Sequence, residues 1–89
     1  MSIELQTRAK AFLKRPIPGG IGYVPGSIAE RFIAMYAKKG SLPDDPDTAE
    51  LLGLAGMEST AMAEDKSGPA AEYFRETSAI LESILAERI

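Results

Sequence analysis

The chain has 89 residues with neither Cys nor His, which predicts one small domain and removes disulfides, thiolate nucleophiles, Cys/His zinc sites and every acid/base scheme that needs an imidazole. At 45% hydrophobic and 26% charged residues, the composition is that of a folded chain rather than a disordered one. The net charge of −3 conceals a division: residues 1–42 hold seven cations and two anions, for +5, and residues 43–89 hold three cations and eleven anions, for −8. The division fits mutual attraction of the halves on folding or one pole meeting a partner. Surface ion pairs, worth roughly 0 to 1 kcal/mol each, do not decide between them.

Residues 3–14 read as the first helix, with Ile3, Leu5, Ala9, Phe12 and Leu13 near helical spacing. Pro16 disfavours helical backbone at Arg15, so the helix ends there. Lys10, Lys14 and Arg15 suit the negative end of its dipole. No stretch of the chain reaches the roughly 18 to 20 apolar residues of a membrane span. Glu4, Gln6, Arg8 and Lys10 interrupt any signal-peptide hydrophobic region in Met1–Leu13, and the cytoplasm is the expected compartment.

Residues 16–26, PIPGGIGYVPG, predict a long Pro/Gly-rich loop that carries Ile17, Ile21, Tyr23 and Val24. Polar connections are the rule in helical proteins, so these apolar groups suggest packing over the chain's own core or docking as an arm on a partner. The glycines do not match a dinucleotide-binding spacing, and no Gly-Lys-Ser/Thr follows them.

The second helix is expected over residues 27–39, capped by Ser27 with Glu30 three residues on, and stopped by Gly40. Ile28, Phe32, Ile33, Met35 and Tyr36 form its apolar stripe. After a turn at 41–46, Asp47 is expected to cap the third helix with Glu50 completing a capping box, and Leu51, Leu52 and Leu54 to form its buried face. The carboxylates there lack the spacing of a calcium loop, so no metal is expected. From Gly53 to Asp65 the residues become small: either the helix ends near Gly53 and a short one restarts near Met57, or it continues and lets a neighbour approach closely. With no cation before Lys66, this segment is not a DNA-recognition helix.

The last helix is expected over 69–88, with Pro69 in its first turn and an apolar side of Tyr73, Phe74, Thr77, Ile80, Leu81, Ile84 and Leu85. That side serves the core or a partner. Ser78 falls on the opposite, polar side with Glu72, Arg75, Glu76, Glu82, Ser83 and Glu87.

The expectation is an all-α bundle of four helices, five if the third divides, in one domain without cofactor. Nucleophilic hydroxyls lack a His base, so catalysis is not expected. The function that fits is a protein–protein interaction module, a small accessory or regulatory subunit or an inhibitor of a larger complex. In this reading Ile17, Ile21, Tyr23 and Val24 anchor the contact beside the last helix, and Arg8, Lys10, Lys14 and Arg15 steer an acidic partner. The alternatives are nucleic-acid association through the basic half, a non-catalytic subunit of a multi-subunit enzyme, and homo-oligomerisation.

Overall fold

A computed structural model describes residues 3–15 and 27–87, and within them the chain forms an all-α bundle of four helices. They are α1 (Ile3–Lys14), α2 (Ile28–Lys39), α3 (Pro46–Asp65) and α4 (Gly68–Glu87). The Pro/Gly-rich loop at 16–26, with Ile17, Ile21, Tyr23 and Val24, lies outside the described residues. Among the described residues no helix is long and apolar enough to cross a membrane.

The α2 boundaries follow from local chemistry. The Ser27 hydroxyl accepts the Glu30 amide at 3.2 Å, satisfying one of the free donors of the first turn. At the other end Gly40 takes a left-handed conformation, φ 76°, and its amide donates to the Tyr36 carbonyl at 2.7 Å, as a C-terminal glycine does at little steric cost.

The start of α3 corrects the sequence reading. Asp45, not Asp47, is the cap: its Oδ1 accepts the Thr48 amide at 2.7 Å, and Oδ2 accepts the Thr48 hydroxyl at 3.0 Å. Pro46 is thereby the first helical residue, where a missing N–H costs nothing and the fixed φ is already helical. The helix then runs without a break through Gly53 and Gly56, so there is no fifth helix among the described residues.

Continuity of α3 creates the most extensive helix pair, α3 with α4. Small residues make the contact: Gly56, Ser59 and Ala63 on α3 are buried, as are Ala70, Ala71 and Ser78 on α4. The burial of Ser78 corrects its placement on the polar side. Its hydroxyl lies 2.6 Å from that of Thr60, which donates to the Gly56 carbonyl at 3.0 Å. The Ser78 hydroxyl also lies 3.4 Å from the Gly56 carbonyl, so the two hydroxyls and the carbonyl form one small network in which each hydroxyl has a single proton to donate.

One core joins all four helices through Leu5, Ala9 and Phe12, Ile33, Tyr36 and Ala37, Leu52 and Ala55, and Ile80, Leu81 and Ile84. Polar links tie its edges: Gln6 donates to the Ala37 carbonyl at 3.0 Å, and the Tyr36 hydroxyl reaches the Glu87 carboxylate at 2.6 Å. Among the described residues no buried side-chain nitrogen or oxygen lacks a hydrogen-bond partner, so burial of these polar groups carries no desolvation penalty left uncompensated.

Candidate functional site

The α3 leucines do not share one face. Successive helical residues are turned by 100°, so with Leu52 pointing into the bundle Leu51 and Leu54 are turned away from it on one side by about 100° and about 160°; Leu52 is 1% exposed and the other two 41% and 53%. This corrects the expectation that all three form the buried face. Ile28 and Met57 are also exposed, at 48% and 70%.

Leu51 and Leu54 border a groove of about 580 Å³ between α2, α3 and α4. The α2 wall is Ile28, Ala29 and Ile33, and the α3 wall continues through Ala55 to Met62. Phe12, Tyr73 and Phe74 supply aromatic surface. The Phe12 and Tyr73 rings are 5.1 Å apart and tilted by 33°, and Tyr73 and Phe74 meet edge to face at 5.3 Å, both favourable ring arrangements. Phe12 and Ser27 stand on the two sides of the undescribed residues 16–26, and both line the groove.

The polar groups of the groove are few. Thr77 uses its hydroxyl internally, donating to the Tyr73 carbonyl at 2.8 Å. Burial pushes the Tyr73 hydroxyl above its ordinary pKa and the charge of Glu30 adds to the shift, so the phenol stays neutral at physiological pH. The charged side chains lining the groove among the described residues are Glu30 and Glu58, both carboxylates. Beyond them α3 carries Asp47, Glu50, Glu64 and Asp65, all exposed, and no Lys or Arg. Among the described residues no three acidic side chains converge to hold a metal ion.

The cations expected to steer a partner are elsewhere. Lys10, Lys14 and Arg15 are exposed on or just after α1. Arg8 is engaged within the chain: its Nη2 and Nε donate to the two Glu76 carboxylate oxygens at 2.6 and 2.8 Å, joining the basic half to the acidic one. Those hydrogen bonds hold the Glu76 carboxyl below its ordinary pKa against the opposing effect of partial burial, and the charges of Arg8 and Arg15 add to the lowering. The apolar side of α4 is divided: Ile80, Leu81 and Ile84 are buried in the core, while Tyr73, Phe74 and Thr77 line the groove.

Sequence reasoning missed the groove because a stripe of leucines gives no sign of where the burial limit falls. The signal that could have found it was Leu54 lying outside the arc centred on Leu52. Comparison of the chain with protein-family models, curated proteins and solved structures gives no significant match.

Proposed function

We propose that this protein is a non-catalytic interaction module, a small accessory or regulatory subunit of a larger assembly, acting in the cytoplasm and docking through the α2–α3–α4 groove. The observation that carries this reading is the exposed apolar surface of Ile28, Leu51 and Leu54 gathered at one concave site. A bundle of this size gains stability by burying such groups, so an exposed cluster at a groove supports a role in recognition. Without an imidazole or thiol in the chain, and with the Thr77 hydroxyl bonded internally, the groove has the chemistry of a docking site rather than of a reaction centre.

The test compares capture by the wild-type chain with capture by Leu51→Gln/Leu54→Gln, whose replaced side chains are already half exposed. The reading requires a protein retained in stoichiometric amount by the wild type and lost from the variant, with helicity unchanged in both. Equal retention by the two chains would remove the groove from the contact.

A further inference from the structure

The groove has a charge as well as a shape. Its charged lining residues are Glu30 and Glu58, and α3, which forms one wall, also bears exposed Asp47, Glu50 and Asp65 and no cation, while Glu64 lines a separate cleft with Arg75 and Glu82. Along that wall Leu51, Leu54, Glu58 and Met62 succeed one another at helical spacing. At 1.5 Å per residue the row from Leu51 to Met62 is about 16 Å long, or three turns. Met57, exposed one turn on from Leu54, adds apolar surface beyond the groove's own lining.

We propose that the occupant is a cationic amphipathic helix of a partner protein. It lays apolar side chains at i, i+3 or i+4, and i+7 between α2 and α3, with Lys or Arg on its flanks facing the α3 carboxylates. Helix-in-groove recognition uses this spacing of anchors, and an anionic rim around an apolar floor selects the charge of the flanks and the orientation of approach. An anionic membrane surface does not fit, because the same carboxylates repel it. The inference rests on the groove being a docking face and adds the chemistry of what docks there.

The probe is a pair of synthetic helical peptides with the same leucine stripe, one carrying Lys at every flanking position and the other Glu, titrated against the full chain by fluorescence anisotropy. The Lys peptide is expected to saturate at one per chain, and the Glu peptide to bind at least about tenfold more weakly. Replacing Glu58 by Lys should weaken the Lys peptide by about fivefold, the size of one partly screened rim charge. Leu51→Gln/Leu54→Gln should abolish saturation even though it leaves every charge in place.

Persistence of Lys-peptide binding in the leucine variant would show a non-specific attraction between a cationic peptide and an acidic protein, and would overturn the proposal. Equal binding of the two peptides would overturn the charge assignment while leaving the groove as a docking face. Absence of saturable binding by either peptide overturns it. So does wild-type self-association lost in the leucine variant, which would assign the groove to a second copy. Binding that appears only after residues 16–26 are replaced by a Gly/Ser segment also overturns it, since the groove would then belong to the chain itself.

Discussion

Three glycines show how much a single residue's effect depends on its surroundings. At Gly53, inside α3, an added Cβ meets nothing within 4 Å, and at Gly56 it meets Leu81 and Glu82 at 4.0 Å, an ordinary contact. Gly53→Ala should therefore raise stability by about 0.5 to 1 kcal/mol through helix propensity and lost freedom in the unfolded chain. Gly68, with φ 64°, should lose about 1 kcal/mol on the same substitution despite open space around it, because the backbone there is left-handed. Thermal melts of Gly53→Ala and Gly68→Ala should shift in opposite directions. The Arg8–Glu76 pair makes a second prediction. Its Arg8 side chain is 43% exposed, so solvent screening limits the pair to about 0.5 kcal/mol. The folded-state pKa of Glu76 is depressed, so that contribution is whole above the ordinary glutamate pKa of about 4.3 and disappears as pH falls through the depressed value. Wild type should melt above Glu76→Gln at neutral pH, with the gap closing as the solution is acidified through that window. A gap that persists in acid would assign the effect to packing.

At the scale of the element, caps and breakers were readable and burial was not. The ends of α1 and α2 follow from Pro16, Ser27 and Gly40, because each restricts the backbone locally whatever the rest of the chain does. At α3 the same rules admit two starts. Asp47 with Glu50 satisfies a capping-box pattern, but Asp45 followed by Pro46 satisfies the cap and fills the first helical position as well. Asp45→Ala should cost about 1 kcal/mol, the usual value for an N-cap, whereas Asp47→Ala should cost a few tenths, the loss of a favourable charge near the helix start. Equal losses in denaturation would return the cap to Asp47. The sequence left the continuity of α3 open for a physical reason: two glycines in one helix are unfavourable by propensity, and what outweighs them is packing against α4, which no local pattern contains. For the same reason Ser78 looked like a surface residue, although Thr60 and the Gly56 carbonyl give its hydroxyl a buried environment.

For the whole molecule, the two charged halves of the chain correspond to two helix pairs, basic α1–α2 and acidic α3–α4, packed round one core. Of the proposed site, surplus apolar residues were legible in the sequence, but which leucines of α3 stay exposed depends on which the bundle consumes, and that is fixed by tertiary packing. The cations of α1 could be read as a steering patch, yet Arg8 is paired at the surface with Glu76. On α3 the leucines divide: Leu52 is buried in the bundle, and Leu51 and Leu54 are exposed, which the proposed docking role requires. Equilibrium urea denaturation of Leu52→Ala and Leu54→Gln, side by side with wild type, tests that division most directly. Leu52→Ala should lose about 2 to 5 kcal/mol, as truncation of a fully buried leucine does, and Leu54→Gln about 1 kcal/mol or less. Comparable losses in the two variants would make Leu54 part of the core and contradict the account.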